Sequence, residues 1–541
     1  MNIGELQRSL CRKAAQEPEH RFGDLFNLTF HSEWLRLAHE HVAQNAGSKT
    51  AGCDGVVMAD FDADLEGNLQ KLAEALRSGS FEARPGRRVY IPKANGKNRP
   101  LGIPSVRDRI VQEAVRMILE PIFEADFLQD SYGFRPNRRT MDAVKHLWPH
   151  LMQRYHWVIE GDISSYFDTI HHRKLMKLLK RRIADGRLLD LIWQFLRAGV
   201  MERGLFKKTE LGTPQGGIVS PLLANVYLHE LDRFVEPWLR FGGYERAKRR
   251  RNGLPNFAYA RYADDFVILC NGTKTQAYEM REAVHRFLSA ELRLTLSLEK
   301  TKITHMQEGF DFLGFHLRWQ RNARGKAALV SVSEKAATKH LEAIKVLTTP
   351  TSTEDAFAAK TIALNRVIEG WCRYFQFAHL AGREFHRLTH ETYWLFARWL
   401  ATKHKLSYPQ VMKRFKVAGT LGVQGLMLTP HSRFKWQKYC PSPHKLNPYL
   451  TGERIEREEL LDTAPWTGAD DRPGRMDLRL AVLQRDSHRC QRCAKLVRPD
   501  EAQVDHKRPY SCFKRAEDAD AAANLWTLCI LCHKEKTESD Q

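Results

Sequence analysis

Apolar side chains recur at helical spacing through the first 80 residues: Leu6 and Leu10, then Trp34, Leu35, Leu37 and Ala38, then Leu65, Leu69, Leu72 and Leu76. This period predicts helices, with a polar, Gly-rich loop at 45–55 between the last two groups. From Phe81 to about Leu317 the pattern changes. Short β-branched or aromatic runs (Val89–Ile91, Val158–Ile159, Tyr259–Leu269) alternate with helical stretches such as Arg107–Leu119, which is α+β behaviour. From Glu334 to about Lys405 the period is helical throughout, carried by Leu341, Ile344, Leu347, Ile362, Leu364, Ile368 and Trp371. Residues 441–476, rich in Pro, Gly and charge, read as a linker or a loosely folded small module. A compact Cys/His unit follows, and the chain carries no internal repeat.

With 541 residues, 43% of them hydrophobic, the chain has material for roughly three to five domains with real cores. The charge balance then narrows the partners. Lys plus Arg number 85 against 64 Asp plus Glu, a net charge of +21, which draws a protein to polyanions. Nucleic acid is favoured over membrane: no run of 18 apolar residues occurs, the first 20 residues lack a signal peptide's apolar core, and Glu5, Glu17 and Glu19 argue against a transit peptide. A cytoplasmic location is expected. Of ten cysteines, Cys11, Cys53, Cys270, Cys372 and Cys440 stand singly and read as reduced, mostly buried thiols, while Cys490, Cys493, Cys529 and Cys532 form two C-x-x-C pairs with Cys512 between them. In an intracellular chain that clustering favours metal over disulfide.

Two central segments place acids at the ends of apolar strands. One is Trp157–Asp162, running into Ile163–Asp168. The other is Tyr259–Leu269, where Asp264 and Asp265 would sit at a hairpin tip. Adjacent acids in a hairpin are by themselves a turn signal. Three carboxylates on neighbouring strand ends are also what nucleotidyl transfer requires, because it uses two Mg²⁺ ions roughly 3.5–4 Å apart and such hard cations take carboxylate oxygens.

Around these acids the chain resembles the reverse transcriptases encoded by bacterial group II introns. Tyr262-Ala-Asp-Asp265 is similar to their YxDD box, the Asp162 segment to their first acidic motif, and Gly212–Asn225 to their PQG motif. Tyr90–Lys93 and Arg99–Pro104 resemble fingers strands, and Tyr132–Pro136 and Phe310–Gly314 are further blocks of the same branch; the similarity spans about Phe81 to Phe315 in order. The resemblance implies that Asp162 and Asp264, with Asp265 as a second, weaker acid, hold two Mg²⁺. It implies that Gln215, Ile163 and Phe167 line the incoming dNTP, Phe167 lying under the sugar to exclude a 2′-hydroxyl. Lys93 and Arg99 would contact the triphosphate, where charge accumulates in the transition state, and Lys300 would protonate the leaving pyrophosphate.

Other segments point to RNA. The N-terminal helices and the loop Lys49–Val56 resemble the N-terminal extension of group II and non-LTR enzymes. The run Glu245–Gly253, with Lys248, Arg249, Arg250 and Arg251 consecutive, reads as a flexible phosphate-neutralising arm. Asn365–Phe375 and Tyr393–Trp399 resemble the thumb, or maturase X, domain, with their aromatics mostly in its core. His431–Tyr439 interleaves Arg433, Lys435 and Lys438 with Phe434 and Trp436, a composition that can bind phosphates and stack bases, although burial of those aromatics is an equal alternative.

The four paired cysteines would close a tetrahedral zinc shell with no open position, a structural site stapling a unit too small to stand on core burial alone. Between and after them, Asp505-His506, Asn524 and His533 resemble the HNH (ββα-metal) nucleases, in the two-cysteine-pair form that ends group II intron proteins. That resemblance implies His506 as general base, Asn524 as its orienter, and Asp505 and His533 as ligands of one Mg²⁺ or Mn²⁺; a His base suits neutral pH. Cys512 reads as a bystander.

The expected architecture is an N-terminal RNA-binding extension (1–80), α+β fingers and palm of a right-hand polymerase (81–318), an α-helical thumb (319–440), a DNA-binding linker (441–476) and a zinc-stapled nuclease (477–541). The expected partners are intron RNA, target DNA and dNTPs, and no membrane; on target DNA the protein would be nucleoid-associated. The expected function is splicing assistance, nicking of target DNA, and target-primed reverse transcription. A splicing chaperone with relic active sites is the alternative, against which the retained Asp162, Asp264, Asp265, His506 and His533 weigh. A non-LTR enzyme fits the C-terminal half less well.

Overall fold

The computed structural model describes residues 2–92, 98–153, 155–202, 205–207, 211–212, 216–297, 301–322, 325–349, 356–423, 425–439 and 447–452, and toward the C-terminus 482, 485–486, 489–497, 503–507, 524–529, 532 and 536. The chain divides into two units, residues 1–330 with 439–464, and residues 331–438 with 465–541.

In the first unit the N-terminal helices Ile3–Gln16, Ser32–Gln44 and Leu65–Ser78 bury their apolar stripes in one continuous core that also holds the central helix Val106–Glu124 and residues as far along as Leu296. The indole of Trp34, completely buried, donates to the carbonyl of Ala114 (3.0 Å). The central helix starts at Ser105, whose hydroxyl accepts from Asp108 N. It is buried on nearly all sides, so its charges are paired: Arg116 bonds Glu113 and Glu120, and Tyr449 donates to Glu120. Burial would raise the Glu113 carboxyl, but Arg116 and His41 outweigh it and hold it at about 2. Tyr449 belongs to the segment that reads as a linker. At residues 447–452 that segment is docked instead, with Pro448 and Tyr449 buried and the Asn447 amide on the Cys11 sulfur.

Two four-stranded sheets follow. The first contains β1 (Gly86–Pro92), β2 (Asn98–Ile103), β4 (Val200–Glu202) and β5 (Leu205–Lys207) in the order β2-β1-β4-β5, with Ile91 opposite Arg99. The second contains β3 (Trp157–Gly161), β6 (Phe257–Tyr262), β7 (Asp265–Cys270) and β8 (Ile303–His305) in the order β6-β7-β3-β8, antiparallel throughout. β6 is buried on both faces, and β7 everywhere except Asp265. The helix Lys274–Leu292 packs on β3, and Thr140–Met152 on β6.

The run 243–251 is a helix, Gly243–Arg251, and this corrects the expectation of a flexible arm. Alternating Glu, Ala, Lys and Arg are good helix formers, and the helix end is held by a cation–π contact of Arg249 with Phe241 (4.2 Å) and hydrogen bonds from Arg249 to Pro255 O.

In the second unit the helices Glu334–Leu347, Phe357–Phe375, Ala381–His404 and Tyr408–Phe415 precede a small sheet of Lys416–Val417, Thr420–Val423 and Leu426–Met427. Asn365 braces that sheet, donating to Met427 O (2.9 Å) and accepting from Thr429 N (2.7 Å). Near the C-terminus, Gln503–His506 pairs antiparallel with Leu525–Leu528. Among the described residues, no helix is long and apolar enough to cross a membrane.

Candidate polymerase and nuclease sites

β6 and β7 form a hairpin whose last pair is Tyr262 opposite Asp265, leaving Ala263 and Asp264 as the two-residue turn. Ala263 takes a positive φ of 56°, the conformation that short hairpin turns demand. On the other side of β7, Gly161 of β3 pairs with Phe266. Asp162, one residue further, therefore leaves β3 at the sheet end where Asp264 and Asp265 emerge. Its backbone is fixed there: Ser297 N donates to Asp162 O (2.9 Å), and Ile163 bridges Leu296. Asp162 and Asp264 are half-buried and Asp265 is exposed.

The turn is clamped from below by a charge network that sequence reading passes over. Arg261, fully buried in β6, donates to both carboxylate oxygens of Asp232 (2.7 and 2.6 Å), to Asn225 Oδ1 (3.0 Å), to Ser131 Oγ (2.7 Å) and to the turn carbonyl of Ala263 (2.9 Å). Asn225 in turn donates to Gly133 O (2.7 Å), and Tyr259 to Asp232 (2.8 Å). Gly133 lies so close to the turn that a Cβ there would stand 2.3 Å from Ala263 N. Burial would raise the Asp232 carboxyl, but Arg261 drives it well below the usual carboxylate range. The legible signal was an Arg inside an apolar strand and an Asp inside an apolar helix, since buried charges come paired.

The PQG segment is anchored at both ends. Gly212 N donates to Ile170 O (2.8 Å) and its carbonyl meets the His172 ring (2.5 Å). Gly216, at φ 108°, sits against Gly102 of β2, where a Cβ would stand 2.7 Å from the Gly102 oxygen. The side chain of Gln112, from the central helix, accepts from Ile218 N (2.8 Å). The short helix Tyr166–Thr169 carries Phe167, half-buried and edge-on to Phe134 (6.2 Å) and Tyr166 (5.4 Å), and Tyr166 is tied to Ala224 O (2.6 Å). Ile163 is buried in the core. A cleft of about 510 Å³ opens beside this anchor, lined by Thr169, His171, Leu211 and Arg293. Arg99 lies on β2; Lys93, Gln215 and Lys300 fall outside the described residues.

Toward the C-terminus the four thiols of Cys490, Cys493, Cys529 and Cys532 all lie within 4.8 Å of one another. Two local turns bring them there. Ala494, at φ 59°, closes the first knuckle through Ala494 N to Cys490 O (2.8 Å), and Cys532 N points at the Cys529 sulfur (3.5 Å). Gln491 N donates to Thr527 O, locking the first knuckle to the hairpin. Burial raises the Cys490 thiol, but backbone N–H groups of Cys493, Cys529 and Arg492 pull it down to about 6, whereas burial and the neighbouring thiols push Cys532 up to about 12. Among the described residues these thiols are the one group of metal-ligating side chains that converges so closely. The three aspartates share a sheet end without forming so tight a group.

On the adjoining hairpin, Asp505 stands opposite Trp526 and His506 opposite Leu525, and Lys507 N donates to Asn524 O (2.6 Å), so Asn524 is bonded to the residue after His506. Asp505 is engaged by the Lys536 ammonium at 3.0 Å, a partner that sequence reading missed. His533 and the His506 side chain fall outside the description. Of the basic candidates, Lys49, Lys248, Arg250, Arg251, Arg433, Lys435 and Lys438 are exposed. Arg249 is half-buried and committed to Phe241 and Pro255. Beside Arg433 and Lys435, Trp436 is half-exposed and Phe434 more covered.

Three family models match the chain in succession: Reverse transcriptase (RNA-dependent DNA polymerase) over 91–317, Group II intron, maturase-specific domain over 337–416, and HNH endonuclease over 490–539. Protein YkfC of Escherichia coli is 44% identical over 358 residues, 62% of this chain and 94% of its own length. Group II intron-encoded protein LtrA of Lactococcus lactis is 34% identical over 58% of this chain and 59% of its own. An uncharacterized 91 kDa protein in the cob intron of Schizosaccharomyces pombe is 35% identical over 53% of this chain and 40% of its own. The chain thus spans less than two thirds of those two intron proteins. A solved chain from a partial Cas6-RT-Cas1–Cas2 complex aligns with 51% of this chain and 43% of its own at 24% identity and a TM-score of 0.30, too low to carry an argument.

Proposed function

Since the chain belongs to the group II intron-encoded reverse transcriptases, we propose that it binds its intron RNA, assists splicing and reverse splicing, nicks the target DNA with its HNH unit and copies the intron RNA from the nick. The observation that carries the polymerase part is the register of β3, β6 and β7, which delivers Asp162, Asp264 and Asp265 to one sheet end above the buried Arg261–Asp232 pair.

The donor chemistry fits the metal: three carboxylates, accessible, on rigid neighbouring strands. Asp162, Asp264 and Asp265 would hold two Mg²⁺, which supply activation of the primer 3′-hydroxyl and neutralisation of the triphosphate. The protein's own contribution is positional. Arg261 fixes the turn carbonyl and so the aim of Asp264. Gly212 is held beside the Phe167 helix and Gly216 against Gly102 of β2, and Phe167 would close the floor of the sugar pocket. Arg99 and Lys93 would meet the triphosphate, and Lys300 would protonate the leaving pyrophosphate.

The four thiols fit a structural Zn²⁺, whose role is to add folding free energy to a small unit. In the nuclease, Asp505 and His533 would hold one Mg²⁺ or Mn²⁺, which supplies charge at the leaving oxygen. His506 would take a proton from the attacking water, and the Asn524 to Lys507 backbone bond steadies the strand that carries it. The helices from Glu334 to Phe415 would serve as thumb and maturase surface, with Arg433, Lys435 and Lys438 facing RNA.

The test is to purify the chain with associated RNA, sequence that RNA, and then offer the particle a DNA target and dNTPs. Enrichment of a single intron RNA, with cDNA joined to the nicked strand, is expected. Random cellular RNA and no joined product would contradict the proposal.

A further inference from the structure

The basic run at 246–251 is divided between structure and surface. Arg246 donates to Leu239 O (3.0 Å) and its carbonyl accepts the Asn256 amide (3.0 Å). Arg249 lies over Phe241 and donates twice to Pro255 O (3.3 and 3.0 Å). These contacts fix how the helix Gly243–Arg251 is rolled. On the side they leave outward, Tyr244, Lys248 and Arg251 stand at i, i+4 and i+7 and share one face. All three are exposed, and Tyr244, at 77%, stands well out from the surface.

Lysine is depleted in protein–protein interfaces, and here Lys248 stands one helical turn from the exposed phenol ring. The face matches an unpaired nucleotide, which offers a base face for stacking and phosphates on either side. A duplex keeps its base faces covered. The net charge of +21 supplies the matching long-range attraction.

We propose that Tyr244 is a stacking platform for an unpaired base of the bound RNA, with Lys248 and Arg251 neutralising the flanking phosphates. This rests on the RNA-binding reading above and adds to it a residue outside the basic run.

The test uses the full chain and three probes: a single-stranded RNA of about 20 nucleotides, the same RNA annealed to its complement, and the DNA strand of the same sequence. Tyr244→Ala should weaken single-stranded RNA binding roughly 5- to 150-fold, Tyr244→Phe should restore it, and duplex binding should stay unchanged. Lys248→Ala with Arg251→Ala should lower the slope of log affinity against log salt by about 1.4 on the single strand. Equal binding by Tyr244→Ala and the wild type, failure of Tyr244→Phe to restore binding, or parallel loss on single strand and duplex would overturn the proposal. Loss confined to the DNA strand would overturn its assignment to RNA. If the wild type bound no RNA at all, the RNA-binding reading would fall first, and the platform with it.

Discussion

Arg261 and Asp232 form a double hydrogen-bonded ion pair, 2.7 and 2.6 Å, with neither side chain reaching solvent. One lies on the strand leading into the hairpin that carries Asp264, the other on the helix that follows the PQG segment. The pair therefore ties the strand that enters the hairpin to the helix Ser220–Val235.

Removing one partner should be costly. Asp232→Asn or Arg261→Ala would strand a buried group and destabilise the first unit by about 3–5 kcal/mol. Thermal melting should reveal the loss, and primer extension should fall with it even though neither residue would touch substrate. A variant with wild-type melting and activity would show that the clamp is dispensable.

Phe167→Ala should admit ribonucleotides far more readily while leaving the fold intact, since the ring is only half-buried. The ratio of dNTP to NTP incorporation in primer extension measures this. An unchanged ratio would return Phe167 to a packing role against Phe134 and Tyr166.

The second unit should be acid-sensitive. His340 and His431 share a buried hydrogen bond, Nε2 to Nε2 at 2.8 Å. Burial, and for His340 also the neighbouring His431, lowers them to about 3 and about 4. Their folded pKa values lie below the unfolded value of about 6.5, so between roughly pH 4 and 6.5 the unfolded state binds more protons. Stability is intact above pH 6.5 and is lost as the pH falls toward the folded values. Melting followed between pH 7.5 and 4.5 should show this decline, and His340→Leu with His431→Leu should flatten it. An equal slope in that variant would remove the pair as its source.

The zinc and nuclease roles should separate. His506→Ala leaves all four thiols, so zinc content should hold while second-strand nicking stops. Cys529→Ser opens the shell, so zinc and nicking should both be lost. Primer extension should persist in each. Loss of zinc in His506→Ala, or nicking at the wild-type rate, would contradict the division.

The legible parts were those with a local signature. Tyr262-Ala-Asp-Asp265 announces its own turn, and two C-x-x-C pairs announce their convergence. Less legible were features set by distant packing. Arg261 looks like a solvent-facing break in an apolar strand until Asp232, 29 residues away, is placed opposite it. The run at 248–251 looks uniformly solvated, yet Phe241 and Pro255 hold Arg249 half-buried. Tyr449 lies in a stretch whose composition reads as a joint, and its docking depends on distant partners, the buried Glu120 for its hydroxyl and Cys11 for the neighbouring Asn447.

Asp264, at the hairpin tip, is the carboxylate on which polymerase chemistry at this sheet end depends most. Primer extension on an RNA template with Mg²⁺ and dNTPs, run beside an RNA-binding assay on the same Asp264→Ala preparation, tests it most directly. Extension should disappear while RNA binding stays at the wild-type level, because binding needs the fold and not the metal ligands. Undiminished extension by Asp264→Ala would contradict the assignment of this sheet end as the polymerase centre.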